Sequence, residues 1–247
     1  MLERSRQRLL AELPSDALVL DVGGWAKPFA RADAVIDLMP FETRGLYGYD
    51  EGSREAERFS AASWVRHDIC SRQPWPFADA EFDFVICSHT LEDIRDPVWV
   101  CSEMQRVGRR GYIEVPSRLE EQTYGVQGPW VGWGHHHWLI EVEPDPPAIS
   151  FVFKHHIIHG RPEMQFPRSF WEQLGPDERV ETLWWDGSFE ARERVIVDAA
   201  EADAWLAAPV AARADGPAPD SAAKRLSGTT GVAPSKRLFP GLRARKR

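Results

Sequence analysis

The sequence predicts an α/β fold: a mostly parallel sheet with an antiparallel hairpin toward its carboxyl-terminal side. Three observations carry this. Short apolar runs recur at residues 17–22, 34–37, 64–68, 82–88 and 111–115, each ending near a Gly, Asp or Ser. Between the last two, Val98, Cys101, Met104 and Val107 repeat every three residues, as one face of a helix would. Beyond Pro116, two β-rich runs flank Glu143-Pro144-Asp145-Pro146-Pro147, the pattern of a hairpin with a proline-stiffened turn. Strands alternating with crossovers imply a parallel sheet, and ligands of such sheets sit beyond the carboxyl ends of the strands.

Taken in order, residues 2–13 place Leu2, Leu9, Leu10 and Leu13 among charges, a short amphipathic helix that stops before Pro14. Residues 17–22 are nearly continuous apolar chain and read as a strand buried on both faces. The crossover from Val22 to Asp33 has room for a helix of one or two turns or is rebuilt without one, and Pro28 restricts it further. In the hairpin, a turn centred on Asp145 and Pro146 pairs positions whose numbers sum to about 291, placing His135 opposite His156 and His136 opposite His155. A helix over residues 168–174 and strands over 180–185 and 194–197 complete the body. From Ala207 the chain is rich in Ala, Pro, Gly, Ser and basic residues without periodicity. Domain organisation is therefore expected as one domain over 1–206 and a disordered basic tail over 207–247.

Composition narrows the function classes. The chain has 247 residues, 43% hydrophobic and 28% charged, with a net charge of −8, as in an ordinary globular protein. From Ala207 onward nine basic residues face only Asp215 and Asp220, a tail of +7 on a body of −15. The acidic body argues against a nucleic-acid-binding face on the folded part. The tail itself is either a solubilising end or a contact for RNA, acidic lipid or an acidic partner. No apolar run reaches the roughly 20 residues of a membrane span, and the charged amino-terminal segment lacks a secretory pattern, so a cytoplasmic location is expected. Cys70, Cys87 and Cys101 form no Cys-x-x-Cys pair and read as buried thiols rather than a disulfide framework or zinc knuckle.

Candidate chemistry gathers at the strand ends. Asp21 closes the first strand ahead of Gly23-Gly24, where backbone could approach a ligand closely, although a plain turn has the same appearance. Asp37 closes the second strand, where a carboxylate can accept from both hydroxyls of a ribose. Asp68 closes the third, positioned for an adenine amino group. Glu92, Glu114, Glu120 and Glu121 lie near the same edge; one could orient an acceptor hydroxyl, while solvated surface positions are the ordinary fate of glutamates. His135, His136, His137, His155, His156 and His159 invite a metal reading, but their spacing fits no standard zinc signature and neighbours in a strand point to opposite faces, so no metal ligand is assigned. His136 is the candidate acceptor-binding residue or base, against a reading of all six as buried or solvated strand residues. Trp130, Trp133 and Trp138 would suit an aromatic wall or the core.

The stretch Pro76-Phe77-Ala78-Asp79-Ala80-Glu81-Phe82-Asp83-Phe84-Val85-Ile86-Cys87-Ser88-His89-Thr90-Leu91-Glu92-Asp93 resembles the type-11 methyltransferase-like branch of class I S-adenosylmethionine-dependent methyltransferases. Residues 106–117 resemble that branch's fifth strand. Residues 24–37 and the pair His136-His137-Trp138 with Phe151-Val152-Phe153-Lys154 resemble a subgroup of it. The likeness runs from Ala17 to Lys154, with Trp25 and Lys27 in place of further loop glycines and Asp93 in place of a common His. It implies a Rossmann-like class I methyltransferase sheet with S-adenosyl-L-methionine as cofactor and a small molecule, such as a saccharide or biosynthetic intermediate, as methyl acceptor. Asp21, Gly23 and Gly24 would cradle the methionine end, Asp37 and Leu38 the ribose, and Asp68 and Ile69 the adenine. Ser88 and His89 would flank the sulfonium, with His89, Glu92 and His136 as the catalytic candidates. The alternatives are a non-catalytic member of the fold that binds cofactor or a protein, and an RNA methyltransferase that uses the basic tail.

Overall fold

A computed structural model describes residues 1–48, 54 and 56–214. Helix α1 (Glu3–Glu12) precedes the strands β1 (Val19–Val22), β2 (Ala34–Asp37), β3 (Trp64–Arg66) and β4 (Phe84–Ser88). Then come α2 (Pro97–Val107), β5 (Arg110–Pro116) and α3 (Arg118–Glu121). The hairpin β6 (Trp138–Pro144) and β7 (Pro147–Phe153) follows, and α4 (Arg168–Trp171), β8 (Val180–Asp186), β9 (Glu190–Glu193) and α5 (Ala199–Ala214) close the series. The main sheet has the order β3-β2-β1-β4-β5-β8; its first five strands are parallel and β8 is antiparallel to β5. A second sheet, β6-β7-β9, holds the hairpin, with Trp138 opposite Phe153 and Glu143 opposite Ala148. That is the register expected from a turn at Asp145-Pro146, with Ile149 and Phe151 packed into the main core on one face and Leu139 buried in a second cluster on the other.

The two faces of the main sheet are covered differently. On one face Leu20, Val22, Val85, Cys87 and Ile113 pack against Val100, Cys101, Met104 and Val107 of α2 and against Ile140, Ile149 and Phe151 of the second sheet. Helix α2 starts as its sequence dictates: Asp96 accepts from the Trp99 N–H at 3.1 Å, and Pro97 takes the first turn, where no donor is needed. On the other face Val19, Val35, Phe84, Ile86 and Tyr112 meet Leu9 of α1 and the loop residues Phe29, Ala32 and Phe59. Burying Leu9 contributes about 2 kcal/mol to holding α1 there.

Three expectations are corrected, and the crossover from β1 to β2 takes the rebuilt form, with no helix. Its backbone is held instead by side chains: Asp21 accepts from Phe29 N–H at 2.8 Å, and Arg31 donates to the carbonyls of Pro14 and Ala17 and to Asp33. The last strand is Glu190–Glu193 rather than 194–197, set by parallel pairing of Ala148 through Phe151 with Glu190 through Glu193, an edge position that needs little apolar pattern. The helix expected over 168–174 stops at Trp171. Finally, the boundary at Ala207 falls inside α5, where Leu206 is buried and anchors the helix; residues 215–247 of the expected tail lie outside the described residues. The three cysteines are free and buried. Among the described residues no helix is long and apolar enough to cross a membrane.

Candidate functional site at the carboxyl edge of the sheet

Strands β1, β2 and β4 run parallel and end together, Val22 lying beside Ile36 and Cys87. This brings Asp21, Asp37 and the Ser88-His89 turn to one edge, with Asp68 just past β3. Asp21 is 4% exposed. Its burial, opposed by the Phe29 N–H, pushes its pKa up to about 7. The two glycines fit tightly around it. A Cβ on Gly24 would lie 2.3 Å from Asp21 Oδ2, and Gly23, at φ +74°, would place one 2.3 Å from Thr90. Glycine is therefore required here by the protein's own packing, before any ligand is considered.

Asp37 is buried, accepting from Met39 N–H at 2.7 Å on one oxygen and Trp25 N–H at 3.0 Å on the other. Burial raises its pKa despite these bonds. A carboxylate has about four acceptor sites, so each oxygen keeps a lone pair for a hydroxyl. Leu38 and Met39 expose aliphatic surface beside it, and Ile69 is buried. Asp68 takes the Cys70 N–H at 3.0 Å and pairs with Arg95 at 2.6 Å; that pairing lowers its pKa. The donor set, two carboxylates and a glycine turn flanked by aliphatic side chains, fits a nucleoside carrying a charged amino-acid end.

Next to it stands a charged group that sequence reasoning did not assemble. His89, at φ +54°, turns the chain so that its ring lies between two carboxylates. Nε2 is 3.0 Å from Glu114 and Nδ1 3.4 Å from Glu92. Burial disfavours the cation, but the two carboxylates outweigh it and push the His89 pKa up to about 9. Glu114 also accepts from Leu2 N–H at 2.8 Å, from Ser88 Oγ at 3.3 Å and from the Tyr112 hydroxyl. Burial raises its pKa, yet His89 and these donors bring it down to about 2. Glu92 is 1% exposed, and its Oε2 has no partner.

Across the edge, Ser117 caps α3 by accepting from Glu120 N–H, which turns both following glutamates inward. Glu120 accepts from Trp133 Nε1 at 2.8 Å. Glu121 holds His136 Nδ1 at 2.7 Å and Lys154 Nζ at 2.6 Å, and Lys154 also donates to the Trp133 carbonyl at 3.0 Å. Burial raises the Glu121 pKa, but its two partners outweigh it and the net shift is downward. His136 is raised, Glu121 outweighing burial. Its Nε2 faces Asp93 at 3.6 Å.

The glutamates expected as solvated surface are thus buried: Glu92, Glu114, Glu120 and Glu121 all are. Glu114 and Glu121 have partners on both carboxylate oxygens and Glu92 and Glu120 on one, and most of those partners lie far away in sequence. The histidines do not face one another as the extended hairpin predicted. Pairing ends near His137, whose carbonyl accepts from Lys154 N–H at 2.8 Å, and His155 instead caps a 3-10 turn over His156–Gly160. His135 and His136 join Asp93, whereas His156 and His159 lie beside each other elsewhere, their ring centroids 6.1 Å apart and the rings tilted by 34°. Trp138 belongs to the core, while Trp133 borders the His135-His136 turn.

The strand order, with β8 antiparallel at the β5 side, and this edge define a Rossmann-like α/β domain. Residues 47–113 match the family model described as a methyltransferase domain. Similar solved structures include the YcgJ protein of Bacillus subtilis, at 19% identity and a TM-score of 0.36, covering 47% of this chain and 52% of that one. An S-adenosylmethionine-dependent methyltransferase from Mesorhizobium loti is 17% identical over 47% of this chain and 56% of its own, with a TM-score of 0.34. One from Thermotoga maritima is 20% identical over 48% and 52%, with a TM-score of 0.32. The chain therefore spans about half the length of these structures. No curated protein matches it.

Proposed function

We propose that this protein transfers a methyl group from S-adenosyl-L-methionine to a small-molecule acceptor. The observation that carries the reading is the convergence of Asp21, Asp37 and Asp68 on the edge where β1 and β4 end side by side, ahead of the Ser88-His89 turn. Asp21 with Gly23 and Gly24 would shape the turn around the methionine end, Asp37 and Leu38 would take the ribose, and Asp68 and Ile69 the adenine. When bound, the cofactor supplies an electrophilic methyl on a sulfonium. The protein's share is to hold an acceptor atom in line with it.

His89 is protonated at neutral pH, since its pKa is about 9, and so is no general base. Its role is a fixed cation that, with the Met1 amino group 3.3 Å from Glu114, balances the carboxylates of Glu92 and Glu114 and holds the Ser88-His89 turn in place. Glu92 is sealed from solvent and acts by holding His89 rather than by touching the acceptor. His136, with Nδ1 held by Glu121 and Nε2 turned outward to Asp93, is the residue placed to orient an acceptor hydroxyl or amine, and Asp93 beside it can take a released proton.

The test is turnover with methyl-labelled cofactor against fractionated pools of small metabolites, wild type beside His136→Ala. Label appearing in one chemical fraction, reduced in the variant, supports the reading. Cofactor binding with no label in any fraction would favour a non-catalytic member of the fold.

A further inference from the structure

We propose that Asp93, His135 and His136 form a mononuclear site for a divalent first-row metal ion, built from residues other than those proposed to hold the cofactor. The Asp93 carboxylate, His135 Nε2 and His136 Nε2 converge, all within 4.8 Å of one another. Asp93 Oδ1 lies 3.8 Å from His135 Nε2 and 3.6 Å from His136 Nε2. Ligands about 2.1 Å from a tetrahedral ion stand about 3.4 Å apart, so Asp93 needs a few tenths of an ångström of closure onto each imidazole, and no pair of the three needs more than about 1.4 Å. Imidazole with carboxylate suits zinc, iron, cobalt or nickel rather than calcium or magnesium.

The supporting shell is already built. Metal-bound histidines characteristically donate their other ring N–H to a carboxylate, which fixes tautomer and orientation. Glu121 Oε1 stands 2.7 Å from His136 Nδ1, and Lys154 locks the second Glu121 oxygen at 2.6 Å. That bond places the His136 proton on Nδ1 and leaves the Nε2 lone pair toward Asp93 and His135. Glu92, the residue before Asp93, is buried with its Oε2 unpartnered and adds negative field at the same place. Lys154 and Glu121 pair with each other, which leaves the Asp93 carboxylate as the negative charge that faces the two imidazoles and can meet a cation.

Strand alternation, which separates adjacent histidines, does not apply here. His135 and His136 precede β6 in a turn, where both rings can face one way, their centroids 4.6 Å apart. Asp93 and His135 are about half exposed. Three protein ligands with an open side belong to a reactive site rather than a closed structural one. In the methyl-transfer reading, that open side faces the acceptor.

The test needs no methyl donor, so its failure is distinguishable from failure of the methyl-transfer reading. Zinc is titrated calorimetrically into the full chain in a non-coordinating buffer, and cobalt is followed by its visible absorption. One equivalent should bind to wild type and to His155→Gln/His156→Gln, whose histidines lie elsewhere. His135→Gln, at an exposed position that leaves the fold intact, and Asp93→Asn should each bind zinc at least about tenfold more weakly, and the cobalt spectrum should change. No stoichiometric binding by wild type would overturn the proposal. So would undiminished affinity in both His135→Gln and Asp93→Asn, or loss of the equivalent in His155→Gln/His156→Gln.

Discussion

Lys154→Met should be the most damaging conservative change near the site. Lys154 and Glu121 are 3% and 1% exposed and 2.6 Å apart. At an effective dielectric near 20 their attraction is about 6 kcal/mol, offset by several kcal/mol of desolvation for each ion. Removing the lysine forfeits the attraction but leaves the carboxylate buried, so the net loss should be about 3–5 kcal/mol. His136 limits it to the lower part of that range, because it stays hydrogen-bonded to the other Glu121 oxygen. Urea unfolding of wild type, Lys154→Met, Glu121→Gln and the double variant closes the cycle. The double variant should lose less than the sum of the singles, by about 2 kcal/mol. A Lys154→Met loss below about 1 kcal/mol, with additive singles, would refute the reasoning that the pair is dry and mutually dependent.

Three other outcomes follow from the same structure. Leu9→Ala, at a residue 1% exposed against the sheet, should lower unfolding free energy by about 2–5 kcal/mol in urea and increase hydrogen exchange in α1 first. Gly24→Ala should disturb the β1 turn, because its Cβ would lie 2.3 Å from Asp21 Oδ2; chemical denaturation should show a loss of about 1–3 kcal/mol, with weaker cofactor binding. Glu114, whose pKa falls from 4.5 to about 2 on folding, binds fewer protons folded than unfolded. Its contribution of about 3 kcal/mol is present above pH 4.5 and lost as pH falls toward 2. Asp21 has the opposite sign: raised from 3.8 to about 7, it favours the folded state in acid and loses that contribution as pH rises toward 7. Stability measured across pH should therefore lose its acid-side slope in Glu114→Gln and its slope between about 4 and 7 in Asp21→Asn.

The parts of the fold legible in the sequence are those fixed by local pattern. Val19 through Val22 and Phe84 through Cys87 are buried on both faces and read as apolar runs. The repeat from Val98 to Val107 marks the buried stripe of α2, and the prolines around Asp145 set the hairpin register. What was not legible depends on partners distant in sequence. Nothing near Glu121 announces that Lys154 will meet it, nor near Glu114 that His89 will turn back through a left-handed residue to reach it. Both glutamates therefore look like surface. Whether the crossover after β1 is a short helix or rebuilt is not legible, because its organising bonds come from the side chains of Asp21 and Arg31. The aspartates at the strand ends were legible because each closes an apolar run, and the sheet brings all three to one edge. The histidines were misplaced because the ladder pattern was extended past its end at Trp138 and Phe153.

The most direct test of the central claim is calorimetric titration of S-adenosyl-L-methionine into the wild-type chain and into Asp37→Ala. One equivalent should bind to wild type, and the variant, lacking the carboxylate that would take the ribose hydroxyls, should bind at least about tenfold more weakly. No binding to the wild type, or equal affinity for both proteins, would contradict the account.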